Sequence, residues 1–208
     1  QTILDSARRI QLYPDDMKRH QQSASLVEQA AQRAAAIVRN LLDYTRASSG
    51  NVAPVDLNEV VNSTLALLQH HLDERGVQLH LEVAPVPSFE GNFNDLSTVV
   101  TNLVMNAADA TRSLVAPDEP RIGLLTGVEG DDVLLTVRDN GAGIPAVTKD
   151  RIFDPFYTSK EVGAGTGLGL AIVQGVVERH CGRIELHSEP GRTEFIVRLP
   201  QSTQGGAG

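Results

Sequence analysis

The chain has no tryptophan, a single cysteine, and only five Phe and three Tyr among its 208 residues. One thiol, Cys181, can close no internal disulfide, and no Cys/His grouping has the spacing of zinc ligands. A disulfide scaffold and a structural zinc site are thereby excluded, and a reducing, cytoplasmic setting is expected. Long apolar runs are missing too: no stretch approaches the roughly 18 to 20 residues that cross a bilayer. The start Gln1-Thr2-Ile3 has no basic n-region, so any anchor is expected outside this chain and no direct membrane contact within it. There is no excess of positive charge. Eighteen Lys and Arg against 26 Asp and Glu give a formal charge of −8 with no Lys/Arg stripe, which argues against nucleic acid as a partner. An anionic ligand must therefore be held by local geometry. What remains, 41% hydrophobic and 21% charged residues, is an ordinary globular composition, long enough for one large domain or two modest ones.

The pattern changes near residue 50. After Pro14, residues 15–47 contain neither Gly nor Pro, and Val27, Ala34, Leu41 and Ala30, Ile37, Tyr44 form two seven-residue series, which predicts one long helix with a packing seam. Ile3, Ala7 and Ile10 give residues 1–12 helical spacing, and Tyr13-Pro14-Asp15-Asp16 supplies a break and an N-cap, so residues 1–50 should form a helical hairpin. Such a hairpin leaves apolar seam exposed. A four-helix bundle made by two chains covers it; the alternative is an appendage folded against its own neighbouring domain. Ala47 to Asn51 and Pro54 read as a linker, and residues 54–200 as a second domain. Helices are expected over 56–75, 94–114 and 166–181, with strands over 77–83, 121–127, 133–138, 183–188 and 193–199. Without a regular βαβ repeat, this is an α+β fold: a two-layer α/β sandwich, with helices on one face of a mixed, mainly antiparallel sheet. Residues 201–208 are polar and Gly-rich, as in a flexible tail or linker.

Three clusters carry chemistry. On the helix expected over 94–114, Asn102, Asn106 and Asp109 fall at i, i+4 and i+7 and share one face, while Val100, Leu103, Val104 and Ala107 serve packing. Asparagine is a poor helix former, and carboxamide oxygens suit a hard cation such as Mg²⁺ beside phosphates; a solvated polar face is the competing reading. The second cluster, Asp139-Asn140-Gly141-Ala142-Gly143-Ile144-Pro145, follows a strand directly. Its glycines let backbone approach a flat ligand while the carboxylate accepts a hydrogen bond, as from an adenine amino group, although Asp-Asn-Gly is also a common turn. The third, Gly163 to Ile172, is a glycine-rich run opening a helix, where backbone N–H groups and the helix dipole favour phosphate. No strand precedes it as a Rossmann fingerprint requires, and no Gly-Lys-Ser/Thr makes it a P-loop.

In this order, the clusters resemble the catalytic ATP-binding domain of sensor histidine kinases, within the superfamily that includes Hsp90, MutL and type II topoisomerases. Asn102 to Asp109 resembles the N box, Asp139 to Pro145 the G1 box, Phe153 to Phe156 the F box and Gly165 to Ile172 the G2 box. Residues 33–46 resemble the second helix of the dimerisation and phosphoacceptor domain, so the likeness covers nearly the whole chain. Phe153-Asp-Pro-Phe-Tyr-Thr-Ser-Lys160 followed by Gly165-Thr-Gly-Leu-Gly-Leu170 is similar to the nitrogen-regulator type. The resemblance implies ATP and Mg²⁺ as cofactors. It implies that Asn106 coordinates the metal, that Asn102 lies beside the phosphates with Asp109 on the same face, and that Asp139 accepts the adenine amino group. Gly141, Gly143 and Ile144 would admit the base. Phe156 would belong to the ATP site, Lys160 would sit in a mobile lid and reach the phosphates, and Gly165, Thr166, Gly167, Leu168 and Gly169 would close the phosphate side. A homodimer and a response-regulator receiver domain are the implied partners, with phosphoryl transfer from ATP to histidine and then to an aspartate.

Two positions depart from that pattern. None of the six histidines stands in a phosphoacceptor box, and Gln1 to Ala7 resembles the stretch that follows one. The phosphoacceptor is therefore expected upstream of Gln1, and this chain should bind ATP without phosphorylating itself. A nucleotide-binding docking module without phosphoryl transfer is the alternative. Asp95, seven residues before Asn102, places an acid where many kinases carry a basic or amide residue, from which modest nucleotide affinity is expected.

Overall fold

The computed structural model describes residues 2–12, 16–45, 52–112, 119–159 and 166–201. The expected linker core, 47–51, the end of the helix expected to reach Leu114, Lys160, Gly165 and the tail 202–208 lie outside the described residues. Two helices come first, α1 (Thr2–Leu12) and α2 (Met17–Thr45), packed on each other with Ser6 and Ser23 buried. Serines permit this close approach because they carry little side chain. α2 also touches α5 (Gly169–Arg179) of the following domain, while Leu4, Leu12, Met17 and Leu26 stay exposed on the hairpin.

After the hairpin comes β1 (Ala53–Val55), which pairs antiparallel with β3 (Phe89–Gly91). Between them run α3 (Leu57–Glu74) and β2 (Gln78–Val83); then come α4 (Phe93–Ala110), β4 (Arg121–Glu129), β5 (Asp132–Asp139), a 3₁₀ turn (Ala146–Arg151), α5, β6 (Arg183–Glu189) and β7 (Arg192–Pro200). The main sheet has the order β2-β4-β5-β7-β6, with β2 parallel to β4 and every other pair antiparallel. The expected mixed, mainly antiparallel sandwich is thus the observed one.

Local chemistry sets the helix ends. The Asp56 carboxylate accepts from Asn58 N at 2.8 Å to cap α3, and Asn92 Oδ1 accepts from Asn94 N and Asp95 N at 3.0 and 3.1 Å to cap α4. α3 stops where Gly76 takes φ +65° and Val77 N bonds back to Leu72 O at 3.0 Å. Leu96, Val99, Val100, Leu103, Val104 and Ala107 form the buried stripe of α4, and Ile172, Val173, Val176 and Val177 that of α5. Strand parity supplies the other layer, since Ile122 and Leu124, Val133, Leu135 and Val137, and Phe195, Val197 and Leu199 all point to the helices.

Beyond shifts of one or two residues at other ends, three features differ from the sequence expectation. β1 and β3 are only three residues long, too short for periodicity to reveal. α4 ends at Ala110 with Thr111 as cap, before the expected Leu114. The last helix starts at Gly169 and not at Thr166, because Gly167 takes φ +66°, which no right-handed helix accommodates.

Candidate functional site

Parity places the buried carboxylate. Along β5 the row Val133, Leu135, Val137 ends in Asp139, so Asp139 faces the helix layer at the sheet's end, between Ile122 of β4 and Thr193 of β7. It is 5% exposed, and Gly141 N donates to its Oδ1 at 2.8 Å. Burial raises its pKa from 3.8 to about 6, with the Gly141 hydrogen bond opposing part of that rise.

The loop after Asp139 is pinned on every side. A Cβ on Gly141 would lie 2.6 Å from the Ala110 carbonyl oxygen, so only glycine lets the loop sit on the last turn of α4. Gly143 takes φ +79° against the Glu189 carbonyl. Asn140 Oδ1 accepts from Arg121 N and its Nδ2 donates to Glu119 O, both at 2.8 Å, while Ile144 N donates to Ser188 Oγ at 2.8 Å. Rigid backbone thus presents one buried acceptor.

At the other end, α4 and α5 meet closely. Asn102 Nδ2 donates to Thr98 O at 2.9 Å, which turns Oδ1 toward Gly169, where a Cβ would meet it at 2.8 Å; Asn106 Nδ2 lies 3.8 Å from the same point. Among the described residues, the side chain that meets the α5 N-terminus is Thr166, whose hydroxyl accepts from Leu168 N at 3.3 Å. The first amides of α5 therefore open beside the two carboxamides.

These parts surround one cleft of about 490 Å³, a size suited to a small-molecule ligand. Asn102, Asn106, Asp109, Asp139, Gly143, Ile144, Thr166, Gly167 and Gly169, all singled out in the sequence, line it. Gly141 contributes by packing on Ala110. Leu168, 1% exposed, is a core side chain, and Phe156, 64% exposed with φ +67°, is not among the lining residues, its backbone lying against Gly167. Lys160 and Gly165 lie outside the described residues. Asp95 does not line the cleft: it sits about two turns before Asn102 and bridges α4 to Arg179 of α5 at 3.3 Å. Its charge is spent on joining helices.

Sequence reasoning missed several lining residues, including Thr148, Tyr157, Thr193 and Phe195. Thr193 could have been found only from the register that pairs it with Asp139. Among the described residues no group of three or more His, Cys, Asp or Glu is placed to hold a metal ion. A divalent cation in the cleft would thus share few protein ligands with an anionic ligand, and Asn106 and Asn102 offer carboxamide oxygens of the right hardness.

An α/β sandwich with a cleft between its helices and the end of its sheet defines a small-ligand domain, and comparison with known proteins specifies the ligand. Residues 91–203 match the family described as "Histidine kinase-, DNA gyrase B-, and HSP90-like ATPase". The chain is 36% identical over 190 residues to the sensor kinase CckA of Brucella abortus, covering 84% of this chain and 20% of CckA. The solved catalytic domain of the histidine kinase ThkA superposes with a TM-score of 0.64 at 27% identity, over 73% of this chain and 97% of that one. ThkA in complex with the response regulator TrrA shares the fold over 96% of this chain and 56% of that one, with a TM-score of 0.78 at 23% identity. The chain belongs to this ATPase family as an ATP-binding catalytic domain of the sensor histidine kinase type. It spans between 20% and 40% of the length of the curated relatives it matches. No helix among the described residues is long and apolar enough to cross a membrane.

Proposed function

We propose that the cleft binds Mg²⁺-ATP and that the whole protein transfers its γ-phosphoryl group to a histidine upstream of Gln1 and then to a response-regulator aspartate. The observation that carries this reading is the convergence of Asp139, the Asn102/Asn106 face and the α5 N-terminus on one cleft. Asp139 accepts the adenine amino group, with Gly141, Gly143 and Ile144 shaping the loop that admits the base. Asn102 and the amides around Thr166, Gly167, Leu168 and Gly169 meet the phosphates. Asn106 holds Mg²⁺, which supplies charge neutralisation when bound. In this reading Lys160 reaches the phosphates, Gly165 closes the phosphate side and Phe156 belongs to the ATP site.

The protein's work in such a transfer is positioning and electrostatics. A neutral imidazole nitrogen attacks the γ-phosphorus, an N–P bond forms, and the P–O bond to ADP breaks. Residues 1–50 act as a partial dimerisation hairpin, 54–200 as the catalytic domain and 201–208 as a linker. Exposed Leu4, Leu12 and Leu26 on the hairpin support a homodimer, and the single thiol supports a cytoplasmic location. A chain extended upstream and incubated with γ-labelled ATP should form acid-labile phosphohistidine and pass it to a receiver domain, whereas this chain alone should not. An extended chain that binds ATP but never labels would favour the docking module.

A further inference from the structure

The cleft carries two carboxylates, Asp109 and Asp139, and no Lys or Arg among its described lining residues. That is an unwelcoming wall for a polyphosphate. Burial works against the charged form of Asp139, and the Gly141 N–H faces it. Asp109 has a different arrangement. It stands in the last turn of α4, the negative end of the helix dipole, and that turn holds no basic residue of its own. A cation comes from another helix: Arg75, the C-cap of α3, reaches across so that Nη1 donates to Asp109 Oδ1 at 2.7 Å. Gly76, at φ +65°, turns the chain away directly afterward and leaves Arg75 at the junction of the α3 and α4 ends. Both side chains are partly shielded, at 29% and 25% exposure, where charges are screened less than on open surface.

We propose that Arg75 is a positioning residue for the nucleotide: by clamping Asp109 it offsets negative charge that faces ATP along this wall. Arg75 itself does not line the cleft, so its effect passes through Asp109. The inference rests on the reading of the cleft as a Mg²⁺-ATP site and assigns it a charge-compensating pair that tunes affinity.

A double-mutant cycle in the full chain tests it, read by calorimetric titration with a non-hydrolysable ATP analogue and Mg²⁺, each variant's melting temperature confirming that it is folded. Arg75→Ala should weaken binding about five- to tenfold, the size of a modest electrostatic coupling, and more so at low salt. Asp109→Asn, which removes the charge and leaves Arg75 in place, should tighten binding. Arg75→Ala combined with Asp109→Asn should return affinity to within about twofold of the starting chain, a rescue that a purely structural ion pair would not give. Unchanged affinity in Arg75→Ala, or a double variant as weak as the single one, overturns the proposal while leaving the nucleotide site standing. Failure of the starting chain itself to bind overturns both.

Discussion

Asp139 concentrates the energetic tension of this domain in one side chain. Its carboxylate is buried at the end of an apolar row and its pKa is raised to about 6, so the ionised form needed as an acceptor is the form the fold disfavours. In the unfolded chain the group titrates near 3.8. Between those two values the native state holds a proton that the unfolded state has lost, and stability falls as pH rises. By pH 7 the cost amounts to about 3 kcal/mol, taken as an upper bound. Asp139→Asn should therefore weaken ATP-analogue binding at least about tenfold and yet stabilise the unliganded protein at pH 7, with the gain vanishing near pH 4. Urea denaturation at both pH values checks this, and no gain at pH 7 would contradict the burial argument. For the unsubstituted protein, analogue affinity should decline as pH drops through about 6, because a protonated carboxyl offers the adenine amino group a poorer acceptor. The candidate role of Asp139 was legible in the sequence, as a carboxylate ending a strand before two glycines. Thr193 beside it was not, because strand register depends on long-range pairing that no local pattern encodes.

At the scale of elements, the cleft depends on how α4 is held at each end. Its first turn docks on α5 through the buried His180, whose Nε2 accepts from Asn92 N at 3.0 Å while Nδ1 donates to Val176 O at 2.9 Å. His180→Ala would leave a buried amide without its acceptor, a loss of about 1–3 kcal/mol, readable as a lower urea midpoint. In the middle, Gly169 lets α5 approach Asn102. Gly169→Ala should push the Asn102 carboxamide aside and weaken analogue binding severalfold with little change in melting temperature; equal affinity would mean that Asn102 does not face the ligand. Helix and strand existence followed from periodicity in every long element, and capping residues such as Asp56 marked starts correctly. Ends were less legible. The start of α5 depended on a positive φ at Gly167, imposed by backbone packing on Phe156, and the short β1–β3 pair had too few residues to carry a period. The tie from Asp95 to Arg179 was illegible for a related reason, since the two lie 84 residues apart in sequence.

For the whole molecule, a helical hairpin precedes an ATP-binding sandwich with a five-stranded main sheet and one hydrophobic core. The hairpin exposes leucines that a second chain can cover, so sedimentation equilibrium should give a dimer for the full chain. Removing residues 1–50 should give a monomer that binds nucleotide equally well. A monomeric full chain would instead favour the hairpin as an appendage on its own domain, a contact that α2 already makes with α5. The central claim is narrower than the signalling it would serve: this cleft is a Mg²⁺-dependent, adenine-selective site built on Asn106 and Asp139. Calorimetric titration of the full chain with a non-hydrolysable ATP analogue tests it most directly, run with and without Mg²⁺, with GTP as control and Asn106→Ala alongside. The account predicts binding that needs Mg²⁺, excludes GTP and disappears in the folded Asn106→Ala variant. Binding indifferent to Mg²⁺ or to the base, or unchanged in that variant, would contradict it.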